Sequence, residues 1–238
     1  MLIQYGQSFV LIDTGPNSDI LRCLQRNIFF LDPTIDLVIL THPDKDHIGG
    51  WESVVERYRI SELATNGQSA NPDHSSVSQT AETGAFVWWP GVIGRVVWSA
   101  DSFAALHTSG ESQEETNAQS VGTYWWGESF GFLSLGDLEC EQELAVAGSG
   151  LLNRVSLLKV SHHGSKSSSC LEFLQKIDTE TAFISVGEKN SYNHPEENVI
   201  FSLEKAGAVV YRTDIQGEIT YQSHISGGWL VEYENGKE

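Results

Sequence analysis

Residues 36–50 read Asp-Leu-Val-Ile-Leu-Thr-His-Pro-Asp-Lys-Asp-His-Ile-Gly-Gly. The short apolar run from Leu37 to Leu40, rich in strand-forming residues and bounded by polar ones, predicts a strand over Asp36 to Thr41 with both faces in a core. The chain leaves it through His42-Pro43-Asp44-Lys45-Asp46-His47, where four side chains able to bind a cation occupy six residues. Imidazole nitrogens and carboxylate oxygens gathered at a strand end suit one or two divalent metals. The two glycines that follow let another backbone approach closely. Taken alone, the cluster is equally readable as a solvated Asp/His turn.

Three more junctions repeat the pattern of an apolar run releasing a polar group. They are Leu11-Ile12-Asp13-Thr14-Gly15, Leu135-Gly136-Asp137, and Val160-Ser161-His162-His163-Gly164-Ser165. Polar groups at the ends of strands meet at one rim of a sheet, where open α/β folds build their sites. A strand over Phe9 to Ile12, a helix from about Ser18 to Phe30 and the Asp36 strand give a strand-helix-strand opening. A helix over Ile48 to Tyr58 follows. Residues 65–83 and 108–119 are polar and read as loops. Strands are expected at Val92 to Trp98, Val121 to Trp126 and Phe130 to Leu135. Beyond a short acidic helix after Gly136, further strands are expected at Val155 to Val160, Thr181 to Val186, Val209 to Arg212, Glu218 to Gln222 and Trp229 to Tyr233. Helices lie near Ser168 to Lys176 and after Pro195. No linker or repeat divides the 238 residues, so one domain is expected.

Composition narrows the function. Thirty-two acidic residues against 14 basic ones leave a formal charge of −18, which disfavours a broad electrostatic grip on nucleic acid. A local patch remains open, because Lys45, Lys159, Lys166, Lys189 and Arg212 lie in or beside the motif segments. No run of ~18 apolar residues offers a membrane span. Cys23, Cys140 and Cys170 are odd in number and widely spaced, with no CxxC, so neither a disulfide framework nor a thiolate metal site is indicated. With no leader-like segment after Met1, a cytoplasmic protein is the expectation.

The ordered segments LIDTGP, THPDKDHIGG, LGDLE and KVSHHGS resemble the motifs of the metallo-β-lactamase superfamily, and more narrowly those of the DNA-uptake ComEC group. SVGEKNSYNHP and YRTDIQGEI match that group's closing segments. The resemblance implies an α+β fold, the αββα sandwich of two mixed sheets flanked by helices. It also implies two divalent metals, Zn²⁺ or Mn²⁺, with Mg²⁺ compatible. His42 and Asp44 would serve the first ion and Asp46 and His47 the second, with Asp137 between them. His163 is favoured over His162 as the remaining ligand, leaving His162 to contact substrate or move a proton. Asp46 is also assigned to catalysis, and His194 to proton donation at the leaving oxygen. Asp13 resembles an aspartate that orients ligands by hydrogen bonding. Ser165 in its glycine turn, Asn190 and Asn117 are candidates for substrate contact.

Two departures from the wider superfamily stand out. Asp44 replaces a histidine, and Asn117 stands where another histidine ligand is usual, which makes the first site rich in oxygen and friendlier to Mn²⁺ or Mg²⁺. His107 is a weaker candidate to replace that histidine. The family's earlier strand also lies outside this chain, which leaves an open sheet edge at Phe9 that would favour a second copy or a loop cover. The implied activity is a phosphodiesterase or nuclease on single-stranded DNA or RNA. Hydrolysis of a small phosphoester or β-lactam is the alternative, as is a metal-bound DNA-uptake module without catalysis.

Overall fold

The computed structural model describes residues 1–67, 75–89, 92–102, 117–128, 130–223 and 229–233. They fall into two compact units that interleave along the chain, residues 1–83 with 99–121, and residues 84–98 with 122–238.

The first unit holds a five-stranded mixed sheet in sequence order. Its strands are β1 (Leu2–Tyr5), β2 (Ser8–Ile12), β3 (Thr34–Leu40), β4 (Arg59–Thr65) and β5 (Ser75–Thr80). β1 and β2 are antiparallel, and β2 through β5 run parallel. Central β3 buries Ile35 and every residue from Leu37 to Leu40, as a strand covered on both faces must. Helix α1 (Ile20–Asn27) lays Leu21 and Leu24 on the core and hands over to buried Ile28, an i, i+3, i+7 stripe. Leu24, Leu40, Trp51, Val54 and Leu63 share that core. Each full burial is worth roughly 1.5–3 kcal/mol before chain entropy is subtracted.

Three expectations change here. β1 pairs along β2 through a two-residue turn at Gly6, whose φ of +60° is open to glycine, so the Phe9 strand is not an edge and that ground for pairing with a second copy falls away. Residues 65–83 contain β5, whose polar sequence Ser-Ser-Val-Ser-Gln-Thr hides a strand set by its backbone pairing with β4. The single helix expected over Ile48 to Tyr58 is instead two short ones, α2 (Lys45–Ile48) and α3 (Trp51–Val55). Gly49 and Gly50 separate them, and a Cβ there would sit 2.3 Å from the Pro16 carbonyl oxygen and 2.4 Å from that of Thr14.

The second unit holds a seven-stranded mixed sheet in the order β12-β11-β10-β9-β8-β7-β6. These are β6 (Phe86–Trp89), β7 (Val92–Trp98), β8 (Gly122–Trp126), β9 (Gly131–Ser134), β10 (Leu157–Lys159), β11 (Thr181–Ile184) and β12 (Val209–Arg212). β9 through β12 run parallel, so their carboxyl ends lie along one sheet edge. Helices α4 (Cys140–Gly148), α5 (Leu171–Ile177) and α6 (Glu197–Lys205) connect them. α7 (Thr213–Gln216) and the hairpin of β13 (Ile219–Ser223) with β14 (Trp229–Tyr233) complete the unit.

Cys140 and Cys170 form a disulfide across 30 positions, which corrects the expectation that the cysteines indicate no disulfide. Spacing alone did not reveal it, because the partners meet only once α4 and α5 pack. No helix among the described residues is long and apolar enough to cross a membrane.

Candidate metal centre

In the first unit, Asp13, Thr41, His42 and His47 are buried together where β2 and β3 end. Asp13, with φ of +56°, turns its carboxylate back across β3. One oxygen accepts the Thr41 amide at 2.8 Å, and the other accepts the His47 Nδ1–H at 2.7 Å. The Thr41 hydroxyl gives its one proton to the same carboxylate at 2.9–3.0 Å. It must therefore accept the proton of His42 Nδ1, 3.0 Å away. Ser120 Oγ stands 3.4 Å from that nitrogen. Both imidazoles consequently hold their proton on Nδ1 and present the lone pair of Nε2, the tautomer a metal ligand needs. Their ring centres are 4.0 Å apart. Asp44 stands at the start of α2 with its carboxylate 3.8 Å from His42 Nε2, and Asp46 is exposed in the first turn.

In the second unit, Asp137 follows β9 and is 3% exposed. His162 and His163 follow β10, and the Nε2 of each lies 3.9 Å from the same Asp137 oxygen. Adjacent side chains reach one point because both residues adopt left-handed backbone, φ +49° and +53°. That conformation costs an ordinary residue ~1–2 kcal/mol. Gly164 continues the turn at φ +84°, where a Cβ would meet Pro195 at 2.5 Å. The two histidines differ in what holds Nδ1. That of His163 donates to the Ser185 carbonyl at 2.5 Å, whereas the His162 ring faces His194, 5.9 Å between centres. Burial, with the imidazoles of His162 and His163 nearby, lowers the pKa of His194 below the usual histidine value.

The remaining candidates are placed as follows. Asn190 accepts the His194 amide at 2.9 Å and donates to the His194 carbonyl at 2.8 Å, so its side chain shapes the loop that carries His194. Ser165 is buried with its hydroxyl on that of Ser167 at 3.2 Å, and the next helix begins only at Leu171. Asn117 opens a short 3-10 turn in the first unit and is half-buried. Among the cations, Lys45, Lys166 and Lys189 are exposed, but Lys159 is buried and Arg212 is held by Asp214 at 2.6 and 3.1 Å. His107 lies outside the described residues.

Sequence reasoning overlooked Thr41, although it stands directly before His42, and Tyr192, which is 72% exposed and stacked on His194 at 5.8 Å. It also overlooked Glu143, buried on α4, where the Ser169 amide donates to it at 2.6 Å. Burial pushes this carboxyl up to about 7.

Among the described residues, His42, Asp46, His47, Asp137 and His163 offer imidazole nitrogens and carboxylate oxygens able to hold a divalent metal. The sequence profile of the metallo-beta-lactamase superfamily matches residues 1–188. The chain is similar to ComE operon protein 3 of Bacillus subtilis, 33% identical over 192 residues, which are 79% of this chain and 24% of that protein. Recombination protein 2 of Haemophilus influenzae is 26% identical over 227 residues, 92% of this chain and 26% of that one. The chain thus spans about a quarter of the length of these relatives. Among solved structures, the metallo-beta-lactamase fold protein YhfI from Bacillus subtilis aligns with a TM-score of 0.57 at 11% identity, covering 97% of this chain and 90% of that one. Zn²⁺-bound PqqB from Methylobacterium extorquens aligns with a TM-score of 0.53 at 16% identity, covering 89% and 84%.

Proposed function

Because the chain belongs to the metallo-β-lactamase superfamily and has its fold of two mixed sheets flanked by helices, we propose that it is a metal-dependent phosphodiesterase, a nuclease acting on single-stranded DNA or RNA. His42, Asp44, Asp46, His47, Asp137 and His163 hold two divalent ions, Zn²⁺ or Mn²⁺, in this reading. The observation that carries it is the set of three histidines whose Nδ1 protons are committed to Thr41, Asp13 and Ser185. An imidazole locked in this way loses little freedom on ligation. When bound, such ions supply Lewis acidity toward a phosphoryl oxygen and activate water at neutral pH.

This chain's own groups do the rest. Asp13 and Thr41 fix two imidazoles before any metal arrives. Asp46, exposed beside His47, accepts a proton from the attacking water in this reading. His162 and His194 face each other on the Asp137 side, where one contacts the phosphate and the other protonates the departing oxygen. With its pKa lowered, His194 gives up a proton readily and depends on the substrate's negative charge to keep it. The relative named for recombination favours a nucleic-acid substrate. Lys45, Lys166 and Lys189 are the exposed cations available to it, despite the net charge of −18.

The test is cleavage of labelled single-stranded DNA, RNA, duplex DNA, a chromogenic phosphodiester and a chromogenic β-lactam by the chelator-stripped protein with Mn²⁺ or Zn²⁺ restored. The expected result is metal-dependent cleavage of single strands above duplex, with no turnover of the β-lactam. Preference for the β-lactam, or no metal-dependent cleavage of any phosphodiester, overturns the reading.

A further inference from the structure

The His162–His163 turn keeps two successive non-glycine residues in left-handed backbone, and such a conformation persists only where its surroundings over-determine it. The surroundings are unusual in kind. Helix α4, which starts three residues after Asp137, is tied to the far side of this turn by three independent links. The first is covalent, the Cys140–Cys170 disulfide with its Cα atoms 5.6 Å apart. The second is the Cys140 amide donating to the Ser167 carbonyl at 2.8 Å. The third is fully buried Glu143, whose carboxylate accepts both the Ser169 amide at 2.6 Å and the Ser169 hydroxyl at 3.3 Å. Ser168 passes the restraint inward, because its hydroxyl donates to the carbonyls of Ser161 at 2.9 Å and Ser165 at 3.0 Å, on either side of the histidines.

The links share one consequence. Asp137 sits at the start of the tied segment, and His162 and His163 sit in the turn at its other end. α4 and the segment 165–170 therefore hold the Asp137 carboxylate and the two imidazoles in register, although none of the linking residues is itself a donor to a cation.

We propose that Cys140–Cys170 and Glu143 form a brace that sets how tightly Asp137 and His163, the ligands beside the turn, hold a metal, and that reduction of the disulfide by a dithiol weakens that hold. The inference rests on the metal-centre reading above. Reduction consumes one dithiol. Two electrons and two protons pass to the Cys140 and Cys170 sulfurs, the S–S bond breaks, and the reductant leaves as its own disulfide. Glu143 and Ser168 are positioning residues in this scheme, acting through the backbone of the turn.

The experiment titrates Mn²⁺ by paramagnetic resonance, since thiolates bind this hard ion poorly and the freed cysteines will not mimic the site. A Cys23→Ser background leaves only the pair in question. Reduction is expected to raise the apparent Kd for Mn²⁺ about tenfold, as removal of outer supports does elsewhere, with an unchanged circular dichroism spectrum and recovery on reoxidation. Should the reduced protein unfold, Ser168→Ala takes its place. This variant keeps the crosslink and is expected to weaken Mn²⁺ binding severalfold at an unchanged fold. A Kd unmoved by reduction in folded protein, or unmoved by Ser168→Ala where reduction unfolds it, overturns the inference alone. Thiol counting that finds no crosslink in air-oxidised protein does so too. Failure of the oxidised protein to bind either Mn²⁺ or Zn²⁺ overturns the metal-centre reading and the brace with it.

Discussion

The loops after β3 and after β10 each present histidines at the end of a parallel strand, yet they are built on opposite principles. The His42–His47 loop is held at its rings. Its donors fall within six residues, its helix α2 begins inside the motif, and its supports, Thr41 and Asp13, are a sequence neighbour and the end of the adjacent strand. The His162–His163 turn is held in a costly backbone conformation, with the Ser168 hydroxyl on the carbonyls of Ser161 and Ser165, and with Glu143 and Cys140 bound behind it to Ser169 and Cys170. The difference teaches that a ligand loop is preorganised either by hydrogen bonds to side-chain rings or by restraint of the backbone. The two respond to different perturbations.

That contrast can be broken at several points. The largest effect is expected from Asp137→Ala. Within the proposed mechanism it removes the carboxylate that both histidines of the turn approach, and phosphodiester cleavage should fall roughly a thousandfold, several kcal/mol of transition-state stabilisation. Steady-state kinetics and metal analysis of the same sample check this. Next comes Cys140→Ser, which should lower the unfolding free energy by about 3.6 kcal/mol, the loop-entropy value for a crosslink of this span. Urea titration should give the same loss for reduced wild-type protein, which would place the effect in the crosslink.

Asp13→Ala probes the other principle. It strips the acceptor from the His47 Nδ1–H and from Thr41, and should weaken metal binding about 10–100-fold. A competition titration against a chelating dye measures it, and the loss should not change on addition of a reductant.

The smallest expected effect sharpens the account of Glu143. Its pKa is raised by burial to about 7, above the ordinary 4.5, so the folded state binds the proton more tightly than the unfolded state does. The contribution of this group to stability is therefore fully present below about pH 4.5 and declines as the pH rises through about 7. Glu143→Gln should remove that decline, so that its melting temperature relative to wild type rises between those limits. A pH series of thermal melts checks the sign.

How much was legible in the residues follows the same division. The strand-helix alternation of β2, α1 and β3 could be read from apolar periodicity, and the four metal-motif segments from residue type and position. β5 could not be read, because its polar sequence carries no burial signal and its strand character comes from pairing with β4. β1 was missed because four residues before a glycine turn are too few to show alternation. The lysine patch was over-read, since sequence does not reveal that Lys159 is buried or that Asp214 holds Arg212.

By itself the sequence determined the family, the fold class and the list of chemically capable side chains, because these depend on residue type at short range and on the order of motifs. Tertiary structure alone decided which nitrogen of His42, His47 and His163 carries its proton, that His162 and His163 reach one carboxylate, and that two cysteines 30 positions apart are joined. Those outcomes depend on hydrogen-bond acceptors, backbone handedness and helix packing brought from remote segments, and no local pattern encodes a contact whose partner is supplied by the fold.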